Sequence, residues 1–217
     1  MEAKMNNIEF RPIEKADYDT VMEIINQSFS LFRYVKNINV LEAFKKQYLY
    51  SCLSEATFTC VAVNNGEVIG VIMGKSDTHY HFITHCSYAV KMLQYSHKMK
   101  QLAHGDKTGI DDYRSLHKIY RQFLQNRKLE YDGVLTLFAV SEKSRGMGVG
   151  KKLWQKLYSY QKNCGTKRLY LFTDSTCNVG FYDKQNFRRA EQKNLTITRD
   201  GKPFDMAVFL YDYIINT

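Results

Sequence analysis

The order of predicted elements along the 217-residue chain indicates an α/β (α+β) fold built on one sheet of about seven strands. Three observations lead to this class. Strand-like and helix-like segments are mixed along the chain instead of forming separate blocks. Two β-branched runs flank an Asn-Gly turn, which is typical of a hairpin. One nearly unbroken apolar run precedes a glycine-rich turn and a helix, as a central strand buried on both faces does.

The first third of the chain supplies three predicted strands and two predicted helices. Residues 8–13 alternate as a strand does, and Asp17 is the expected N-cap of a helix whose apolar residues recur at helical spacing. A second helical pattern covers residues 40–53. Residues 57–63 and 68–73, joined across the Asn-Gly turn, form the predicted hairpin.

Residues 75–131 form a predicted helical insertion within a single domain spanning 1–217. Two helical patterns, 86–102 and 111–129, make up most of the insertion. They are too short to form a hydrophobic core of their own. The insertion contains every histidine of the chain: His79, His81, His85, His97, His104 and His117. On a strand, His79 and His81 would share a face that suits a metal ion. Surface or partly packed histidines are the simpler interpretation, so we expect no metal.

The rest of the chain returns to strands. Residues 133–140 form the apolar central strand, and residues 149–164 form a helix that ends before Gly165, a glycine placed for a left-handed C-cap. The remaining predicted elements are a strand at 168–173, a helix at 178–186, and two strands at 195–197 and 206–213 that pair as an antiparallel hairpin across 198–204.

Composition excludes several protein classes. Hydrophobic residues make up 44% and charged residues 24%, which rules out a disordered chain, a collagen-like fibre and a coiled coil. The five cysteines are scattered without a C-x-x-C pair, which argues against a disulfide framework or a zinc site.

Without a signal segment or a long apolar run, we expect a cytoplasmic protein with no membrane span. The net charge of +9 favours an anionic partner without identifying it.

The glycine-rich segment 145–152, Arg-Gly-Met-Gly-Val-Gly-Lys-Lys, is the most informative part of the sequence. A turn between a strand and a helix presents free backbone N–H groups and the positive end of the helix dipole, which together bind phosphate. A Walker A loop fails at both ends of this segment, and a dinucleotide fingerprint fails at Lys151. A purely structural turn is the alternative. The basic residues Arg145, Lys151 and Lys152 favour a phosphate ligand.

The spacing of Arg145, Gly148 and Gly150, after Val140 and before Leu153, resembles the acetyl-CoA-binding motif of the GNAT superfamily of N-acetyltransferases. The family pattern is Arg or Gln, two residues, Gly, one residue, and Gly or Ala. This resemblance covers residues 133–187 well and the first three strands through element order alone.

The downstream segment 178–187 resembles the next helix of that family, in which a tyrosine precedes a Gly-Phe pair. Here Asn186 stands in place of the glycine, and Asn also accepts left-handed backbone geometry. The resemblance implies a mixed, mostly antiparallel sheet flanked by helices, with the helical insertion placed before the central strand. It also implies direct transfer of an acetyl group from acetyl-CoA to a primary amine, with no metal.

Cofactor contacts are carried over from the family position by position. The strand edge would pair with the pantetheine arm, the turn would hold the pyrophosphate, and two polar side chains would contact the CoA arm. The strand edge consists of Phe138, Ala139 and Val140. The turn consists of Arg145, Gly146, Met147, Gly148, Val149, Gly150 and Lys151. The two polar side chains are Ser175 and Asn178. The family often has Asn where this chain has Ser175, so either Ser175 or Asn178 would fill that role. Asp174 or Ser175 serving only as a helix N-cap is the alternative.

Tyr182 matches the family's helix tyrosine and is the expected acid that protonates the departing CoA thiolate. A packing tyrosine is the alternative, since the chain has 16 tyrosines. The sequence does not identify the general base: Glu130 and Asp132 precede the central strand, and the insertion histidines are the other pool. Cys177 is expected to be structural, because direct transfer needs no thiol.

The insertion is expected to form a lid or wall of the acceptor site, and the acceptor to be a small-molecule or peptide amine. The basic residues of the insertion favour an acidic acceptor and disfavour a polyamine. Two other function classes stay open. A non-catalytic acyl-CoA-binding module would bind CoA without turnover, and a nucleic-acid-binding protein would explain the charge, although no such motif accompanies it. The terminal strand pair offers an edge for a homodimer.

Overall fold

The computed structural model describes residues 8–103, 107–125, 127 and 130–215, so His104 lies outside it. Seven strands and six α-helices make up this part of the chain. The strands are β1 (Ile8–Arg11), β2 (Phe58–Asn64), β3 (Glu67–Ser76), β4 (Gly133–Val140), β5 (Arg168–Asp174), β6 (Arg188–Arg199) and β7 (Lys202–Ile214). The helices are α1 (Tyr18–Phe29), α2 (Ile38–Glu55), α3 (Phe82–Leu102), α4 (Thr108–Leu124), α5 (Val149–Asn163) and α6 (Val179–Lys184).

All seven strands form one sheet in the order β1-β2-β3-β4-β5-β7-β6. Only β4 and β5 run parallel, and every other neighbouring pair is antiparallel. This mixed, mostly antiparallel sheet with flanking helices confirms the predicted fold class. The expected Asn-Gly hairpin joins β2 to β3, with Asn65 and Gly66 at φ 50° and 80°.

The expected loop of the last hairpin was too long, whereas Asp17 occupies the N-cap position of α1 as expected. The last hairpin turns at Asp200 and Gly201, both left-handed at φ 53° and 77°, so β6 and β7 extend through most of the expected loop at 198–204. The Asp17 side chain makes no cap hydrogen bond to α1. It accepts a hydrogen bond from the Glu14 N–H at 2.7 Å and forms a bidentate ion pair with Arg11 at 2.7 and 2.8 Å.

Helices cover both faces of the sheet. On one face, α1 and α2 pack against β3 and β4 around Ile25, Leu49 and Val71. On the other face, α5 buries Leu153 and Leu157. The two helices of the insertion differ in role. Helix α4 packs against β6 and β7, so that part of the insertion is built into the core, whereas α3 packs on α2.

Strands β4 and β5 separate soon after they meet. They pair only at Gly133 with Leu169 and at Val134 with Tyr170, so the β5 side of β4 is unpaired from residue 135 onward. A β-bulge on the other side adds to the distortion, because β4 has one extra residue, Thr136, between the partners of Met73 and Gly74. Bulges of this kind bend a strand and are common beside functional sites.

Asp212 on β7 is 2% exposed and forms the centre of a buried ionic cluster. It accepts hydrogen bonds from Arg168 at 2.6 Å, from Arg188 at 2.7 and 3.1 Å, and from the Tyr131 hydroxyl at 3.3 Å. Burial raises the pKa of Asp212, but the bonds from Arg188 and Arg168 outweigh burial and hold the pKa below its ordinary value.

Replacing Asp212 by Asn is expected to lower the unfolding free energy at pH 7 by about 2 kcal/mol, since hydrogen bonds to a charged group are lost. Because the folded-state pKa is lowered, this stabilisation is present above the unfolded pKa of about 3.9 and is lost as the pH falls through the folded pKa. Denaturant titrations at pH 7 and pH 3 should therefore show a smaller difference at pH 3. The exposed Asp205 on the same strand is the control, and equal stabilities at pH 7 for D212N and wild type would contradict this role.

Candidate functional site

A cavity of about 820 Å³ lies over β4, where that strand separates from β5. One end reaches the glycine-rich turn before α5, and the other end reaches α2 and α4. The turn, the unpaired strand edge and the insertion therefore border one continuous space. A cavity of this size is large enough for a cofactor arm or a small ligand.

The glycine-rich turn presents free backbone donors to this cavity. Gly146 and Gly148 are left-handed, at φ 80° and 77°, a conformation that glycine adopts without strain. The first intrahelical bond of α5 runs from the Lys152 N–H to the Gly148 carbonyl. Within the described chain, the N–H groups of residues 148–151 have no acceptor. This is the arrangement that binds phosphate oxygens at a helix N-terminus.

Gly150 keeps the turn close to the strand. A Cβ at this position would lie 3.3 Å from Phe138 and 3.5 Å from Phe181, a spacing that leaves little room for a side chain. Positive charge stands at the same place. Lys151 borders the cavity, and Arg145 borders it while paired with Glu142 at 3.0 Å in an exposed salt bridge. Such an exposed pair is weak and leaves Arg145 available to an anion.

Most of the residues predicted to bind cofactor border the cavity. Ten do so: Phe138, Ala139, Val140, Arg145, Gly146, Gly148, Val149, Gly150, Lys151 and Asn178. Met147 instead packs against the core under α5. Ser175 is joined to β7, because its N–H donates to the Ala207 carbonyl at 2.8 Å and its Oγ accepts from the Ala207 N–H at 3.0 Å.

Helix α6 begins after Asn178, whose side chain makes no cap hydrogen bond. Neither Asp174 nor Ser175 is the N-cap that the sequence left open. Asp174 instead accepts from the N–H and the hydroxyl of Thr176. At the other end of the helix, Asn186 has φ 62°, the left-handed geometry expected where the family pattern has glycine.

Tyr182 borders the cavity from α6 with a nearly buried ring. Phe138, Phe181, Phe187 and Tyr211 surround it with ring centroids 5.4 to 6.4 Å away. Its hydroxyl makes no hydrogen bond to the described residues. Burial raises the pKa of Tyr182 above the ordinary value of 10.0, and the nearby Cys177 thiol adds to the effect. The phenol therefore stays protonated at neutral pH.

Cys177 also borders the cavity. Burial, aided by the Asp174 carboxylate, raises the pKa of its thiol to about 11. A thiol with a raised pKa is a poor nucleophile at neutral pH, which fits the expected structural role.

The wall at the other end of the cavity comes from α4 and α2. Helix α4 contributes Asp112, Tyr113, His117, Tyr120 and Arg121, among others, whereas α3 contributes no residue. Only one of the two insertion helices therefore borders the cavity. The exposed lysines of α3 point elsewhere, and the charge of the insertion as a whole does not describe this wall.

Glu55, the last residue of α2, is the functional candidate that sequence reasoning missed. It borders the cavity and forms no ion pair within the described chain. Glu55 is exposed at the end of α2, yet desolvation by the surrounding chain raises its pKa, an effect that Lys75 opposes and Asp77 adds to. The earlier candidates lie elsewhere: Glu130 pairs with Arg168 at 3.1 Å, and Asp132 accepts backbone N–H groups of residues 167 and 168.

The histidines follow the simpler interpretation. His79 lies in a short 3₁₀ turn and His81 precedes α3, so the two do not share a strand. His85 contacts the Ala56 carbonyl at 3.1 Å. No group of three metal-ligating side chains occurs among the residues that the model describes. His117 alone borders the cavity, and burial lowers its pKa, with Arg121 adding to the shift.

Comparison with known proteins agrees with this geometry. The model of the acetyltransferase (GNAT) family matches residues 115–187, which include β4, the glycine-rich turn, α5, β5 and α6. No curated protein matches the sequence. Within the described residues, none of the helices is both long enough and apolar enough to cross a bilayer.

Solved structures share the fold across nearly the whole chain. An N-acetyltransferase from Staphylococcus aureus Mu50 is 15% identical, with a TM-score of 0.55 over 97% of this chain and 100% of that one. The protein yncA from Salmonella typhimurium, solved with its cofactor acetyl-CoA, is 15% identical, with a TM-score of 0.53 over 97% and 95%. The ribosomal-protein-S18-alanine N-acetyltransferase from Escherichia coli is 13% identical, with a TM-score of 0.56 over 97% and 95%. The family match over residues 115–187 confirms the predicted resemblance to the GNAT superfamily in that segment, and the solved structures confirm the fold.

Proposed function

We propose that this chain is a GNAT-type N-acetyltransferase that moves an acetyl group from acetyl-CoA to a primary amine. One observation carries the proposal: the free N–H groups at the start of α5 and the unpaired edge of β4 border the same cavity. A pyrophosphate and an extended amide-bearing arm are the two parts of CoA that such a pair of features would bind. The first test is calorimetric titration of acetyl-CoA, followed by an assay of CoA release with a panel of primary amines.

The chain's own groups account for cofactor binding. Backbone N–H groups of residues 148–151 would hold the pyrophosphate, with Arg145 and Lys151 supplying positive charge. The edge of Phe138, Ala139 and Val140 would pair with the amides of the pantetheine arm, as an added strand does. This arm would extend along β4 from the turn toward Thr136, and bring the thioester toward Tyr182.

Transfer then needs one bond to form and one to break. A neutral amine nitrogen attacks the thioester carbonyl, the C–N bond forms, the C–S bond breaks, and one proton leaves the nitrogen. Because the Tyr182 phenol stays protonated, it would donate a hydrogen bond to the departing sulfur and so stabilise the thiolate.

We assign to Glu55 the role of general base, which accepts the proton that leaves the attacking amine. Its carboxylate has no ion-pair partner in the described chain, and it borders the cavity on the α2 side. The raised pKa of Glu55 makes it a stronger proton acceptor than an ordinary carboxylate. His117 also borders the cavity on this side, but burial and the neighbouring Arg121 lower its pKa, which makes it a weaker proton acceptor than an ordinary imidazole.

Replacing Glu55 by Gln is expected to lower kcat about 100-fold, because general-base catalysis contributes at least this much. The base works only when deprotonated, so the wild-type rate should fall as the pH decreases through the raised pKa of Glu55. The ratio of wild-type to E55Q activity should shrink over the same interval. E130Q, at an exposed pair outside the cavity, is the control, and a pH-independent ratio would exclude Glu55 as the base.

A non-catalytic CoA-binding module is the other outcome of these assays. It would bind acetyl-CoA with the same dependence on the glycine-rich turn and release no CoA with any amine. Turnover with even one amine would exclude it.

A further inference from the structure

Six aromatic rings form a continuous wall on the α2, α4 and β5 side of the cavity. This aromatic wall consists of Phe44, Tyr113, His117, Tyr120, Phe172 and Tyr170, and all six border the cavity. They come from three elements far apart in the sequence. Rings of this kind supply large apolar contact area and recognise flat ligands by stacking.

Each ring of the aromatic wall contacts the next. Ring centroids are 4.8 Å apart between Phe44 and Tyr113, 4.3 Å between Tyr113 and His117, and 5.4 Å between His117 and Tyr120. Tyr120 and Phe172 are stacked at 4.2 Å with an interplanar angle of 9°. The hydroxyl of Tyr120 makes no hydrogen bond to the described residues, so the ring is held by its aromatic neighbours.

A carboxylate stands at one end of this wall. Tyr170 contacts Phe172 with ring centroids 5.3 Å apart. Glu55 borders the same cavity as Tyr170, and its carboxylate adds to the rise that burial causes in the pKa of Tyr170. The other bordering carboxylate of the insertion, Asp112, is occupied by the Thr198 N–H at 2.7 Å. Glu55 is therefore the carboxylate that remains open to an ammonium group on this side.

We propose that the acceptor is an arylalkylamine, a primary amine carried on a short chain that bears a flat aromatic ring. The ring would lie against the aromatic wall, and the ammonium group would meet Glu55. Glu55 would pass the ammonium proton to solvent, and its restored carboxylate would take the second proton, which leaves the nitrogen as the C–N bond forms. This acceptor class rests on the proposed acetyl transfer and specifies the substrate of that same site.

The position of the basic residues weakens the argument for an acidic acceptor, because Arg121 is the one basic residue of the described insertion that borders the cavity. Lys91, Lys98 and Lys100 are exposed on α3, which does not border the cavity. A polyamine, with several cationic groups, would need several open carboxylates. On this side of the cavity the open carboxylate is Glu55, and the aromatic wall beside it presents apolar ring faces.

Competing amines of matched size test this acceptor class. We expect kcat/KM for 2-phenylethylamine to exceed that for 2-cyclohexylethylamine at least tenfold, because only the flat ring can stack. The same assay includes spermidine and a peptide with an N-terminal alanine. Equal values for the two matched amines, or a higher value for spermidine or the peptide, would overturn the proposal and leave acetyl transfer intact.

A variant at the centre of the wall ties the selectivity to these rings. Tyr120→Leu keeps an apolar side chain and removes the ring, so the tenfold preference for 2-phenylethylamine should fall to about one. Tyr50→Leu is the matched control, since Tyr50 stacks on Tyr95 at the α2–α3 surface outside the cavity. A preference that survives Tyr120→Leu would place the acceptor elsewhere.

Binding measurements separate this inference from the proposed function. 2-Phenylethylamine is titrated calorimetrically into the protein saturated with CoA. Binding that is lost in Tyr120→Leu supports the acceptor site even if no amine is acetylated. Absent binding together with normal acetyl-CoA affinity would overturn the acceptor class alone, whereas absent acetyl-CoA affinity would overturn the proposed function.

Discussion

Replacing Gly148 by Glu is expected to lower the affinity for acetyl-CoA at least about 100-fold, or about 2.7 kcal/mol. Gly148 immediately precedes α5, and its N–H begins the run of free donors. A carboxylate at this position would occupy the space of the pyrophosphate and repel its charge. It would also interact with the same free N–H groups and so compete with the phosphate oxygens.

The opposite end of α5 offers a matched control. Gly165 is also left-handed, at φ 72°, and a Cβ there meets no heavy atom within 4 Å. Gly165→Glu therefore introduces similar backbone strain and the same charge at a place remote from the cavity. Calorimetric titration with both folded variants separates strain from ligand competition. Equal affinities for the two variants would contradict a phosphate site at the turn.

Replacing Tyr182 by Phe is expected to lower kcat at least 100-fold and to leave the dissociation constant of acetyl-CoA within a factor of two. Its hydroxyl makes no hydrogen bond within the described chain, so its removal leaves no buried group unpaired. The ring contacts with Phe187 and Tyr211 stay in place. The loss should therefore appear in the chemical step, where the developing thiolate has no donor.

Tyr213→Phe is the control for Tyr182→Phe. Tyr213 packs against Trp154 and Phe187 in the same aromatic cluster but does not border the cavity. Thermal unfolding of both variants shows that the fold is retained, and steady-state rates with saturating acetyl-CoA then report on the hydroxyl. A Tyr182→Phe enzyme with unchanged kcat would make Tyr182 a packing residue.

Local patterns predicted most of the fold. The Asn-Gly turn, the apolar run of β4 and Gly165 each specify structure through neighbours in the sequence, and all three are found as expected. Asp200-Gly201 carries an equally local hairpin signal. The polar residues around it resemble a loop in the sequence, whereas in the sheet they form long outer strands with one polar face.

The candidate site was predictable only where it lies in one segment. The glycine-rich turn is such a segment, and its neighbours could be named from the sequence. Glu55, Thr136 and Tyr170 border the same cavity because the fold brings α2, β4 and β5 together, and no spacing in the sequence relates them. The net charge of the insertion does not predict the acceptor for a similar reason. A charge summed over residues 75–131 does not distinguish α4, which borders the cavity, from α3, which does not.

The separation of β4 from β5 divides the sheet into two halves, β1 to β4 and β5 to β7, joined in the ladder by two residue pairs. A ligand that pairs with the free edge of β4 and contacts α5 and α6 would bridge this seam. Ligand binding would then raise the free energy of unfolding, because only the folded chain holds the two sides of the gap in place. The cofactor would thus act as a structural part of the sheet, and the concentration of a metabolite would set how stably the two halves of this protein hold together.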